Sequence, residues 1–75
     1  MRDLQAREFA PEIAKLLADN DALVRQMAVV ALRDLDAQEF TPEIAKLLSD
    51  VSALVRMSAA GALRDFDVKL PAPVE

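Results

Sequence analysis

Asp50-Val51-Ser52-Ala53-Leu54-Val55-Arg56-Met57-Ser58-Ala59-Ala60-Gly61-Ala62-Leu63-Arg64-Asp65 decides the fold, because Asp19-Asn20-Asp21-Ala22-Leu23-Val24-Arg25-Gln26-Met27-Ala28-Val29-Val30-Ala31-Leu32-Arg33-Asp34 carries the same pattern 31 residues earlier. Working outward, Pro11 returns as Pro42 and Arg2-Asp3-Leu4 as Arg33-Asp34-Leu35. Residues 2–32 laid over 33–63 share 21 identities in 31 positions without a gap. A fixed period of this size signals a repeat architecture, in which one supersecondary unit hides its apolar face against the next.

In the quoted stretch and just beyond it, Val55, Ala59, Ala62, Leu63 and Phe66 fall on one side of a helix over roughly 53–66. Val24, Ala28, Ala31, Leu32 and Leu35 do the same over roughly 22–35. The alanines let neighbouring helices approach closely. Asp21 and Ser52 stand where a side-chain oxygen is needed to cap these helices. Upstream, Thr41-Pro42-Glu43 predicts the start of a first helix over about 41–49. The threonine is expected as its cap, the proline loses no hydrogen bond in a first turn, and the carboxylate meets the positive end of the helix dipole. Ala10-Pro11-Glu12 is the weaker equivalent. Ile44, Leu47 and Leu48, like Ile13, Leu16 and Leu17, form an apolar stripe, while Glu43 and Lys46 face water.

Each unit is therefore expected to be a helical hairpin, and the chain an all-α fold: an α-α superhelix, or right-handed solenoid, of two hairpins. The expected organisation is a repeat domain over 1–67, with repeat one at 9–36, repeat two at 40–67 and the tail of an earlier repeat at 2–7. Residues 68–75 break the pattern as a C-terminal tail, since Pro71 and Pro73 forbid a continued helix. Val68 and Leu70 could strap that tail over the last hairpin. The half-repeat at the start points to a piece of a longer array or an engineered protein.

Composition narrows the function. The chain has 75 residues, 53% of them hydrophobic, with no Cys, His, Trp or Tyr, a single Gly and a net charge of −4. Without cysteine there is no thiol chemistry or disulfide framework, and the cytoplasm is the default compartment. The acidic balance opposes the basic surface that nucleic-acid binding needs. No apolar run approaches the roughly 18 residues of a membrane span.

The string Asp50-x-x-x-Leu54-Val55-Arg56-x-x-Ala59-Ala60-x-Ala62-Leu63, with its copy around Asp19, Val24-Arg25, Ala28 and Ala31-Leu32, resembles the short HEAT-like repeat of bilin lyases and of artificial αRep scaffolds. The likeness covers both units. It implies stacked two-helix repeats, and it makes Asp19 and Asp50 the loop acids that pair with Arg25 and Arg56 in a ladder joining neighbours. Where the family usually has glycine after Ala-Leu, this chain has Arg33 and Arg64. The second helix is thus expected to continue through Asp34-Leu35 and Asp65-Phe66.

No catalytic constellation emerges. Asp34 with Asp36, and Asp65 with Asp67, are expected at solvated helix ends, where nothing separates their pKa values. The iron sites of HEAT-like hydroxylases use His-Glu pairs, and histidine is absent; no calcium-loop spacing or glycine-rich phosphate loop is present. Cofactors and metals are therefore not expected. A bilin lyase activity does not carry over, since only the repeat matches.

Surface remains. In stacked repeats of this kind the second helices line the concave side, and the helical wheel turns Gln26, Val30 and Arg33, then Met57, Gly61 and Arg64, away from the core. Met27 and Ser58 flank this strip. Its mixture of apolar groups, an adaptable methionine and a positive rim suits a protein partner, and Gly61 would admit a close backbone. An incidental surface, or one covered by another subunit, is the competing reading. The leading expectation is a non-enzymatic protein-interaction module; the rival is a self-associating structural protein, a homodimer through exposed repeat flanks.

Overall fold

Pro11 and Pro42 each open a short helix that tightens into a single 3-10 turn after six residues, and this doublet occurs twice with the same boundaries. A computed structural model describes residues 7–67. Helix α1 spans Ala10–Lys15 and runs into a 3-10 turn at Leu16–Ala18; α2 spans Ala22–Asp34. After a 3-10 turn at Gln38–Phe40, α3 spans Thr41–Lys46 and tightens at Leu47–Ser49, and α4 spans Ala53–Asp65. No strand occurs among the described residues. The protein is all-α, as expected. Arg2-Asp3-Leu4 and the suggested strap at Val68 and Leu70 lie outside the described residues.

The second helices start on side-chain caps. Asp21 accepts a hydrogen bond from the Leu23 amide at 2.9 Å, and Ser52 a longer one from Val55 at 3.4 Å. The first helices do not. Phe40, not Thr41, is the N-cap residue of α3, and the Thr41 hydroxyl donates instead to the Gln38 carbonyl at 2.7 Å. The reason is the preceding 3-10 turn: the chain enters α3 without the extended residue that a capping hydroxyl needs.

Both second helices end where left-handed backbone takes over, at Asp36 (φ 55°) and Asp67 (φ 61°). The Ala37 amide reaches back to the Leu32 carbonyl and the Asp36 amide to that of Arg33, both at 2.9 Å. This is a Schellman motif, with aspartate in the place usually held by glycine. The extension through Asp34 and Asp65 displaces the turn by a few residues without abolishing it.

Identical residues at matching positions differ in burial, and the differences show how the hairpins stack. Ile44, Val55 and Ala62 are fully buried, while Ile13, Val24 and Ala31 are only half-buried. Leu47 is 9% exposed but Leu16 is 43% exposed. The asymmetry reverses on the other side of each hairpin: Ala10, Leu17 and Val29 are buried, and their counterparts Thr41, Leu48 and Ala60 are partly open. One side of repeat one thus lies against the opposite side of repeat two. Val29 is absent from the set of inward residues read from the sequence, because it is the neighbouring repeat, not its own hairpin, that covers it. Contact between repeats is most extensive from α2 to α4, where Ala59 and Ala62 keep the axes close. The first helices stand further apart, leaving a gap of about 220 Å³ lined by Ala14, Lys15, Leu17, Ala18, Glu43, Lys46 and Leu47.

Candidate interaction surface and the ladder between repeats

Arg25 sits one turn into α2 with its guanidinium over the joint between hairpins. Its Nη1 donates to the carbonyls of Asp19 and Asn20 at 2.7 and 3.1 Å, closing the loop of its own repeat. Its Nε and Nη2 meet the two carboxylate oxygens of Asp50 at 2.8 and 3.0 Å, a fork-on-fork pair across the joint. Both side chains are largely shielded from solvent. Asp50 also accepts the Ser52 amide at 2.8 Å. The hydrogen bond from Arg25, then that from Ser52, holds the Asp50 carboxyl below its ordinary pKa against the opposing effect of burial. Arg25 is raised in turn by Asp50.

Arg56 repeats only half of this. Its Nη1 donates to the Asp50 and Val51 carbonyls at 2.7 and 3.2 Å, but it meets no carboxylate among the described residues. Asp19 repeats the other half: it accepts the Asp21 amide at 2.8 Å, with no arginine across from it among the described residues. The four ladder residues therefore make one rung, Arg25–Asp50.

A second link across the joint is Arg33, whose Nε lies 3.5 Å from Asp65 and whose Nη2 lies 3.6 Å from Asp34. Arg7 provides a further tie that sequence reasoning missed. It donates to the carbonyls of Leu35 and Asp36 at 2.6 and 3.0 Å, the free C-terminal end of α2, and to both Glu39 oxygens. Its repeat position is taken by Gln38, so no periodic signal marked it.

The strip on the second helices is distributed unevenly. Met57 is 67% exposed and Arg64 is exposed, whereas Gln26, Val30, Arg33 and Gly61 are half-buried. A Cβ added at Gly61 would meet nothing within 4 Å. Besides Met57, large exposed apolar groups on the second helices include ones the wheel did not select: Leu23 (61% exposed), Leu54 (60%) and, from the flank of the strip, Met27 (62%). Leu23 and Leu54 sit two residues after the caps, in the first turn of each second helix. Leu23, Gln26, Met27, Val30, Ala31 and Asp34 line an open groove of about 400 Å³. A second cavity of about 280 Å³, lined by Ile13, Leu16, Val24, Met27, Ala28 and Ala31, adjoins it at Met27.

Asp34 is the one ionisable lining residue of these two cavities, so neither holds a pair of carboxylates with divided roles. Among the described residues no group of three or more His, Cys, Asp or Glu is placed to hold a metal ion, and no helix is long and apolar enough to cross a membrane.

Comparison with known proteins agrees with the stacked hairpins. A family model described as HEAT repeats matches residues 5–74. No curated protein and no solved structure matches. With the match spanning nearly the whole sequence and two hairpins joined by an Arg–Asp rung, the chain belongs to the HEAT-repeat family.

Proposed function

We propose that this chain is a non-enzymatic protein-interaction module that takes its partner along the second helices, α2 and α4. HEAT repeats generally mediate contacts between proteins. The observation that carries the reading is the set of large, exposed apolar side chains on these two helices: Leu23, Met27, Leu54 and Met57. Single exposed leucines are ordinary, but several on adjoining helices form the kind of patch that marks an interaction site. The closer approach of α2 to α4 than of α1 to α3 supports the second helices as the inner side of the stack. The groove beside Val30 offers a seat for an apolar anchor, and Arg33 and Arg64 supply polar rim groups.

Selection of binding peptides from a random phage library against the full chain, followed by methyl NMR with each selected peptide, tests this. The expected result is shifts centred on Leu23, Met27, Val30, Leu54 and Met57, with binding lost in the Met27→Glu/Met57→Glu double variant. Shifts centred on α1 and α3, with binding indifferent to that variant, would refute it.

A further inference from the structure

Among the described residues, the two ends of the stack repeat the two faces that meet inside it. The face that repeat two turns towards repeat one is built on Ile44, Leu47, Asp50, Val55, Ala59 and Ala62, and every one of these residue types recurs at the open end of repeat one. That end is apolar, half-exposed and hollowed into the 280 Å³ cavity. The opposite face, through which repeat one grips repeat two, is built on Leu17, Arg25, Val29 and Leu32; at the far end of repeat two stand Leu48, Arg56, Ala60 and Leu63. The ends are therefore complementary to each other in the way the inner faces are.

Charge fixes the pairing. Arg56 keeps Nε and Nη2 without a carboxylate among the described residues, while Nη1 holds its loop as Arg25 does. Asp19 is held in the same Asx turn as Asp50, with no arginine side chain facing it among the described residues. The inner joint shows what such a pair does when brought together: Arg25 forks onto Asp50 over a buried apolar seam.

We infer that the end of repeat one is a docking site for a second copy of this chain, whose repeat two stacks on it head to tail, with Arg56 of one molecule forking onto Asp19 of the next. This surface adjoins the second-helix groove of the proposed function, sharing Met27 and Ala31 with it, and is tested at Leu16, Asp19 and Arg56, which do not line that groove. Because the contact joins unlike faces, each addition leaves both kinds of end free, and assembly is open rather than closed at two. Ala60 in place of Val29 leaves the joint between molecules less filled than the inner one, and Thr41 in place of Ala10 makes it more polar.

Sedimentation equilibrium of the full chain from about ten micromolar to about one millimolar tests this. The expected average mass starts at the 8.2 kDa monomer and climbs past twice that value without a plateau. Leu16→Glu, which charges the docking end at a partly exposed position, is expected to weaken association at least ten-fold. Leu54→Glu, on the second helix away from both ends, should leave it unchanged, and Ala60→Val should strengthen it several-fold. Arg56→Asp and Asp19→Arg, each checked for helix content, should be monomeric alone and associate when mixed. A constant monomer mass, a plateau at the dimer, or association that Leu54→Glu abolishes and Leu16→Glu does not would overturn the inference, whereas peptide binding is read separately from the methyl shifts at Leu23, Leu54 and Met57.

Discussion

Ile13→Ala and Ile44→Ala remove the same atoms from the same position of two near-identical hairpins, and the structure assigns them different costs. Ile44 is fully buried, and the neighbouring repeat supplies much of its cover. Losing three carbons there forfeits about 0.8 kcal/mol for each and leaves a hole between packed helices, for a total of about 2–5 kcal/mol. Ile13 is half-buried beside an open cavity. Its removal gives up roughly half of the transfer energy and creates no enclosed void, so about 1 kcal/mol is expected. A chain of 75 residues has about 4–11 kcal/mol of stability in all. Ile44→Ala therefore consumes a large share of it, with a fall in Tm of about 10 °C or more, against about 5 °C for Ile13→Ala. Urea unfolding followed by far-UV circular dichroism at a few micromolar, where the ends remain unstacked, resolves this difference. Equal losses at the two positions would show that the neighbouring repeat contributes nothing to the burial of Ile44, and the stacked arrangement would be wrong.

Gly61→Ala is expected to raise stability by about 0.5–1 kcal/mol, because the position is helical, its Cβ would enter open space, and glycine carries an entropic penalty in a helix; a lower urea midpoint would contradict this. Asp36→Gly should also stabilise, by about 0.5 kcal/mol net, since glycine relieves the left-handed backbone at φ 55° at the expense of an exposed bond with Gln38 and a freer unfolded chain; thermal melts report the sign. Arg25→Ala should lower Tm more than Arg56→Ala, because both lose their loop-carbonyl bonds and only Arg25 loses a carboxylate; equal drops would remove the rung from the account. Asp50 has its pKa depressed on folding, so its contribution is present above the unfolded value of about 3.9 and disappears as pH falls through the lower folded value. Asp50→Asn should accordingly be less stable at pH 7 and show a shallower loss of stability in acid denaturation below about pH 4.

The hairpins were legible because two independent signals agree along the chain: a 31-residue period, and within it the spacing of Val55, Ala59, Ala62 and Leu63 on one helical face. The helix ends were legible in part. Asp21 and Ser52 are themselves extended, as a capping residue must be, whereas the cap expected at Thr41 depended on a residue geometry that the 3-10 turn at Gln38–Phe40 removes. The turn after α2 was hidden because its left-handed residue is Asp36, a type that tolerates that conformation without announcing it as glycine does. Val29 and Arg7 were out of reach for another reason. Their partners lie in a different repeat or at a position the period does not copy, and a helical wheel drawn for one hairpin contains neither. The same limit explains why the strip of Gln26, Val30 and Arg33 includes half-buried members while Leu23 stands clear: the wheel knows its own axis, but not where the next repeat lies.

Folding and stacking draw on one kind of surface, and the chain separates them by connectivity. Inside the molecule, loops hold the two hairpins at a high effective concentration, so the joint around Val29, Ala59 and the Arg25–Asp50 pair forms without the loss of free translation and rotation that separate molecules incur, a loss of about 4–15 kcal/mol. The joint between molecules faces that loss with less apolar filling, since Ala60 lacks the two methyl groups of Val29. Both differences act in the same direction. The two-hairpin unit must therefore form at concentrations well below those at which its ends meet, and any stack it builds is an assembly of folded units. Far-UV circular dichroism that stays constant while the sedimenting mass rises is the signature of that order; helix content that grows with mass would instead mean that each hairpin waits for a neighbour from another chain.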